Sequence, residues 1–287
     1  MIMEKYYDVA GITVCVKAPD GIMYSDERML APFACGPRAS AYEYSFTIAP
    51  RLPEPEGECA YSSPSLREYR SGTERMRYIG TVADSVMNAH ICVRYTEKGN
   101  YVTLSSSSYS AVTAKSVLNS LGMEHLCVQN SSVIIHASYI ITDAGAVLFT
   151  APSGTGKSTQ AQLWQELRGA RTVNGDRAII KITENGTEAC PLPFSGSSQI
   201  CENVTAPLAA IVVLSQSPQT EIQRLSGRQA FLPVWAQCCF NAWDKNDTEL
   251  ALKIASEATE RVSVYHLACT PDISAVEALE KAMGERI

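Results

Sequence analysis

The run Ala151-Pro152-Ser153-Gly154-Thr155-Gly156-Lys157-Ser158-Thr159 carries the residue types that a bound polyphosphate demands. Gly154 and Gly156 leave the backbone free to curl, so that successive N–H groups can point at phosphate oxygens. Lys157 reaches the β- and γ-phosphates, and the Ser158 hydroxyl can ligate Mg²⁺. A helix starting at Lys157 aims the positive end of its dipole at the same anions. Residues Ser153, Gly154, Thr155, Gly156, Lys157, Ser158 and Thr159 are therefore the expected nucleotide-binding set, although Ala151 stands where the pattern usually begins with glycine. By composition alone the loose pattern arises in roughly one random chain in fifty. Context makes it specific: the apolar run Ala146-Val147-Leu148-Phe149-Thr150 leads in, and Ala161, Leu163, Trp164 and Leu167 follow at helical spacing.

A metal-nucleotide site also needs an acid. About twenty residues further on, Asn174-Gly175-Asp176-Arg177 enters an apolar strand, and Asp176 can hold Mg²⁺ directly or through water. Its alternative is a turn residue in an Asn-Gly-Asp loop. Arg177 either offsets phosphate charge or pairs with a surface carboxylate. His136 lies mid-strand, one hairpin before the loop, between apolar Ile135 and Ala137. It is either a structural strand residue or an imidazole close to the transferring phosphoryl group. The expected catalytic residues are Lys157, Asp176 and His136, and the expected metal ligands are Ser158 and Asp176. Ser195, Ser197 and Ser198, in a Gly-containing loop, either line an acceptor site or form a solvated turn.

These residues need a scaffold, and the second half of the chain reads as α/β. A helical pattern covers Ala111 to Val128, then strands cover Val133 to Ile141 and Ala146 to Thr150, joined by the turn Thr142-Asp143-Ala144-Gly145. Arg177 to Ile182, Ala209 to Leu214, Glu221 to Leu225 and Val262 to Leu267 read as further strands, and about 228–242 and 248–260 as helices. A last helix opens at Thr270-Pro271-Asp272, with Pro at its first position and Ile273, Val276, Leu279 and Met283 on one face. The first hundred or so residues are strand-rich instead: Ile12 to Lys17, Tyr42 to Ile48, His90 to Tyr95 and Tyr101 to Ser105 are β-branched and aromatic. Pro50 to Gly57 can be neither helix nor central strand. Two domains are expected, a β-rich accessory domain over 1–110 and an α/β domain over 111–287.

Composition excludes several classes. Across 287 residues the formal net charge is −6, with 46% hydrophobic and 19% charged residues. An acidic chain without a basic run is a poor nucleic-acid or anionic-membrane binder. No apolar run approaches the roughly 20 residues a bilayer requires, and the start lacks the layout of a secretory signal. The ten cysteines are scattered without a C-x-x-C pair, and only four histidines are present, so reduced thiols and no zinc site are expected. A cytoplasmic protein is the expectation.

The run His136-Ala137-Ser138, the hairpin, the loop Ala151 to Thr159 and then Asn174-Gly175-Asp176-Arg177 together resemble the HPr kinase/phosphorylase group of phosphoenolpyruvate-carboxykinase-like kinases. Leu192 to Ser198, with Asn203 and Ala206 to Ile211, looks like a loop-and-strand segment of uncharacterised relatives. The resemblance spans about residues 125–285 and does not reach the N-terminal half. It implies a C-terminal P-loop domain of that type, with ATP as the nucleotide. It also implies Mg²⁺-dependent phosphoryl transfer to a hydroxyl of a small molecule, peptide or protein. The bifunctional enzymes carry two adjacent acids where this chain has Gly175-Asp176, and the first is their catalytic base. Here a base must come from Asp176, His136 or the substrate. Their glycine-rich phosphorolysis signature is absent, so action on HPr is not implied. Gly175 motivates the alternative of a nucleotide-binding regulatory module without turnover. A carboxykinase-type reaction would need clustered Arg and a Lys–His metal pair that the sequence does not display.

Overall fold

The computed structural model describes residues 1–20, 27–83, 86–106, 114–194, 196 and 199–284. The chain divides into two units, Met1–Met123 and Glu124–Ile287, and is mixed α/β with a large sheet in each.

The first unit holds β1 (Ile2–Val9), β2 (Ile12–Pro19), α1 (Glu27–Leu30), β3 (Ala34–Cys35), β4 (Tyr42–Ala49), β5 (Glu58–Ser62), β6 (Leu66–Ser71), β7 (Glu74–Ala83), β8 (Val86–Thr96), β9 (Gly99–Ser105) and α2 (Ala114–Leu121). The strands order as β3-β1-β2-β4-β9-β8-β7-β6-β5, antiparallel except where β4 meets β2 and β9. The four strands read from the sequence are β2, β4, β8 and β9. β6 and β7 escaped that reading because they alternate charges. Glu68 and Arg77 face each other in register, both buried, with the guanidinium 2.8 Å from the carboxylate. The helix expected over Ala111 to Val128 is broken at Gly122, whose φ of +64° ends α2 before α3 (Met123–Gln129) begins. Residues 111–113 lie outside the described residues.

The second unit continues with β10 (Ser132–Thr142), β11 (Gly145–Thr150), α4 (Lys157–Arg168), β12 (Arg171–Asn174), β13 (Arg177–Thr183), β14 (Gly186–Pro191), β15 (Ala206–Gln216), β16 (Glu221–Leu225), α5 (Gly227–Trp235), β17 (Cys238–Cys239), α6 (Lys245–Arg261), β18 (Ser263–Cys269) and α7 (Ile273–Gly284). Two long strands serve two neighbourhoods each. The first half of β10 pairs with β13 and β17, and its second half with β11 and β12. β15 touches β14 at Ala206 and Pro207, then runs parallel to both β11 and β18. β11 thus lies between β10 and β15, with its carboxyl end leading into the glycine-rich loop.

Side-chain alternation explains why β11 is apolar throughout. Ala146 and Leu148 join a core with Val133, Ile135 and Tyr139 of β10 and Ala251 and Ile254 of α6. Val147 and Phe149 point the other way, into a core with Ala161 and Trp164 of α4 and Val276 and Leu279 of α7. Each fully buried Val, Leu, Ile or Phe among them contributes about 1.5–3 kcal/mol.

Two boundaries differ from expectation. The helix read over 228–242 stops at Trp235; Phe231 and Trp235 stack within α5, and Phe240, beyond its end, stacks back on Trp235 across a turn. α7 begins after Asp272, whose carboxylate accepts the Ser274 N–H at 2.8 Å, so Asp272 is the capping group and Pro271 precedes it. Ile273 is exposed, and the buried face is Val276, Leu279 and Met283. All ten cysteines are free thiols. Among the described residues no helix is long and apolar enough to cross a membrane.

Tyr139, fully buried on β10, places its hydroxyl between the carbonyls of Ala189 and Val204, at 3.1 and 3.0 Å, its one proton shared between them. Tyr139→Phe should destabilise the second unit by about 1–2 kcal/mol, read as a lower urea midpoint. An unchanged midpoint would show that these bonds hold nothing together.

Candidate functional site

From Thr150 the chain turns through residues 151–156 into α4. Gly154 and Gly156 take φ of +82° and +116°, a region that a Cβ disfavours. Gly156 is the N-cap of α4 and makes no side-chain cap bond, so the first-turn N–H groups keep their capacity for an anion. Ser153, Gly154, Ser158 and Thr159 are exposed. The Thr155 hydroxyl is committed to the loop itself, donating to the Pro152 carbonyl at 2.9 Å. Lys157, only 7% exposed, folds back across the base of the loop and donates to the carbonyls of Ala151 and Pro152, at 2.9 and 3.2 Å. Burial lowers its pKa below the ordinary lysine value, opposed by the negative charge of Asp176.

The strand ladder carries the remaining groups to this loop. Thr150, the last residue of β11, pairs with Ala137, and its hydroxyl donates to the His136 carbonyl at 2.9 Å. His136 pairs in turn with Arg177, and the Ala137 N–H donates to the Asp176 carbonyl at 3.0 Å. The loop entrance, His136 and Asp176 therefore sit on adjacent strands, about 4.8 Å apart at each step. His136 Nε2 lies 3.4 Å from Asp176 Oδ1, and Arg177 Nε lies 3.7 Å from Asp176 Oδ2. The His136 and Asp176 side chains are each 28% exposed. Burial is the largest influence on His136 and lowers its pKa; Lys157 lowers it further, and Asp176 pulls the other way. The imidazole is therefore neutral at neutral pH.

Asn174 positions Asp176. Its fully buried amide accepts the N–H groups of Asp176 and Arg177 at 2.9 and 3.0 Å, a side-chain turn that fixes the backbone on which the carboxylate stands. The same amide donates to the carbonyls of Leu192 and Phe194, at 3.1 and 2.8 Å. Phe194 stacks under the Arg177 guanidinium at 4.7 Å. Gly196 approaches so closely that a Cβ there would stand 3.0 Å from Asp176 Cγ. Gly175 contributes a carbonyl, held by the Ser138 hydroxyl at 2.9 Å. Asn174 and Gly196 were not singled out from the sequence. The Asn-Gly-Asp turn signal pointed at the first, and nothing local pointed at the second. Ser195, Ser197 and Ser198 lie outside the described residues.

Hydroxyl and carboxylate oxygens are the donor types that a hard cation such as Mg²⁺ takes. Among the described residues no three His, Cys, Asp or Glu side chains gather as a metal cage. Mg²⁺ needs none, because one or two carboxylates, substrate oxygens and water complete its octahedron. The exposed Ser158 hydroxyl and the partly exposed Asp176 carboxylate supply what the protein would have to give.

No protein-family model matches this chain, and no curated protein matches it. Among solved structures, the Hpr(Ser) kinase/phosphatase from Coxiella burnetii is similar at 12% sequence identity, covering 53% of this chain and 93% of that one, with a TM-score of 0.29. A likeness of that size does not set the family of this chain.

In an NMR titration the His136 ring should show a midpoint below the ordinary value of about 6.5. Lys157→Gln should raise that midpoint and Asp176→Asn should lower it. Because the folded value lies below the unfolded one, protonation favours the unfolded chain, and this contribution to stability is lost as pH falls from about 6.5 through the folded value. Opposite responses to the two substitutions would disprove the arrangement.

Proposed function

We propose that the chain is an ATP- and Mg²⁺-dependent, HPr-kinase-like phosphotransferase that acts in the cytoplasm on a hydroxyl of a small molecule, peptide or protein. The observation that carries this reading is the meeting of three groups at the end of β11. These are a loop with left-handed glycines and an uncapped helix start, the buried Lys157, and the His136–Asp176 pair one and two strands away. The ten free thiols agree with a reducing compartment.

In this reading the loop amides and Lys157 bind the β- and γ-phosphate oxygens. The ammonium trades its bonds to two loop carbonyls for bonds to the more strongly accepting phosphate. Ser158 and Asp176 would hold Mg²⁺, whose charge would offset that of the phosphate oxygens. His136, uncharged at neutral pH, takes the proton of the acceptor hydroxyl, and Asp176 at 3.4 Å stabilises the resulting imidazolium. Arg177, held by Phe194, adds positive charge beside the carboxylate. Positioning and charge stabilisation supply most of phosphoryl-transfer catalysis, so one imidazole can serve where relatives of the resembled group use an additional acid. Gly175 favours the second reading, a nucleotide-binding regulatory module without turnover.

Incubation with γ-labelled ATP, Mg²⁺ and a library of hydroxyl compounds and peptides separates the two. Transfer should fall about 100-fold or more in Lys157→Ala and Asp176→Asn, and by about 100-fold in His136→Ala. The rate should reach its plateau below neutral pH, once the low-pKa imidazole is deprotonated. ATP binding without transfer or hydrolysis favours the regulatory module, and transfer that survives both Lys157→Ala and Asp176→Asn rejects the site.

A further inference from the structure

A cavity of about 620 Å³ lies among the end of β16, the first turn of α5, the last turns of α6 and the start of β18. Its size is within the range of roughly 300–1,000 Å³ of small-molecule sites. β18 runs parallel to β15, and β15 runs parallel to β11, whose carboxyl end leads into the glycine-rich loop. The cavity sits at the amino end of β18 and therefore opens at the opposite edge of the sheet. The length of β18 sets the two apart by about 20 Å, at roughly 3.3 Å per residue.

The charges around this cavity are unusual. Arg224 and Arg228 line it, both exposed, and among the described residues neither guanidinium makes an ion pair or a hydrogen bond. Glu260 lines the same cavity, and its carboxylate accepts from the Ser256 hydroxyl at 3.3 Å. Elsewhere in the unit such groups find each other, as Arg168 does with Glu280 and Arg261 with Glu257. Here two cations and an acid face one space without neutralising each other. The gap between them suits a molecule that carries both signs.

The rest of the wall adds apolar surface and spare hydroxyls. Leu225, Phe231 and Val262 line the cavity, and Phe231 is held by stacking on Trp235 with ring centroids 5.8 Å apart. The Ser226 hydroxyl makes no capping bond to α5, and Ser263 lines the same wall. A guanidinium takes a carboxylate through paired N–H donors, a glutamate takes an ammonium, and an aliphatic or aromatic body buries itself against the apolar residues.

We infer that this cavity binds a small zwitterion with an apolar body, a free apolar amino acid or a short peptide of such residues. Its carboxylate meets Arg224 and Arg228, and its ammonium meets Glu260. The inference does not depend on the reading of the glycine-rich loop.

Calorimetric titration of the full chain with leucine and with leucylleucine tests it, each compared with its N-acetyl and its amide derivative. Acetylation removes the ammonium charge and amidation the carboxylate charge. One of the two parent compounds should bind about tenfold or more tighter than either of its derivatives. Whichever parent binds tighter tells the free amino acid from the peptide. Arg224→Gln with Arg228→Gln should erase the preference over the amide and keep that over the acetylated compound. Glu260→Gln should do the reverse. All three positions are exposed, so an unchanged urea midpoint should accompany each loss. The proposal is overturned if neither parent binds, if both derivatives bind as tightly as the parent, or if the preferences survive the substitutions.

Discussion

The amide of Asn174 has no access to water, and each of its hydrogen-bonding atoms is used. Its oxygen accepts two successive backbone N–H groups, and its nitrogen donates to two carbonyls some twenty residues further along the chain. An unpaired buried amide is expensive, so this side chain holds the Gly175–Asp176 turn and the segment at Leu192–Phe194 in one mutual arrangement. Asp176 owes its direction to that turn, and Arg177 owes its stacking partner to that segment. His136 gains a neighbour only because the turn delivers Asp176 beside β10. The electrostatics of the site therefore depend on a neutral residue that carries none of the charge.

That electrostatic pattern is local. A chain with net charge −6 offers no general attraction for a polyanion. At the loop, however, Lys157 is buried, Arg177 is partly buried, and Asp176 is the single acid in the cluster with His136 and Arg177. Burial weakens the protonated forms of both Lys157 and His136, but the two respond differently. Lysine starts so far above neutrality that it stays charged. Histidine starts near neutrality and is tipped to its uncharged form. One burial effect thus acts on two groups whose ordinary values lie on different sides of neutrality.

The loop, the strand before it and the helix after it were legible in the sequence because each is a local pattern: a short glycine-containing run between an apolar run and helically spaced apolar residues. β11 was legible for a second reason: burial on both faces makes it apolar at every position. β6 and β7 were not, because Glu68 and Arg77 neutralise one another across the ladder and leave no alternating apolar signal. The helix after residue 228 was read too long because Phe240 packs on Trp235 from beyond the end of α5, which a periodicity count cannot distinguish from a residue on the helical face. The site divides in the same way. His136, Lys157 and Asp176 announce themselves by chemical type. The partners of Asn174 and the approach of Gly196 to Asp176 are contacts between distant segments, and no local pattern encodes them.

The loop glycines carry one more argument. At Gly196 an added Cβ would stand 3.0–3.1 Å from the Asp176 side chain, a tight contact to which Asp176 would have to give way. At Gly154 and Gly156 an added Cβ would meet nothing within 4 Å, so the surrounding protein leaves that space open. What excludes other residues there is backbone conformation, since both adopt φ values that L side chains rarely take. A backbone held in a disfavoured conformation around open space, over an uncapped helix start, gains little from its own packing. It leaves open space and helix-start amides that an anion could use. Gly196 is constrained by a neighbouring side chain, whereas the loop glycines are constrained by their own backbone conformation.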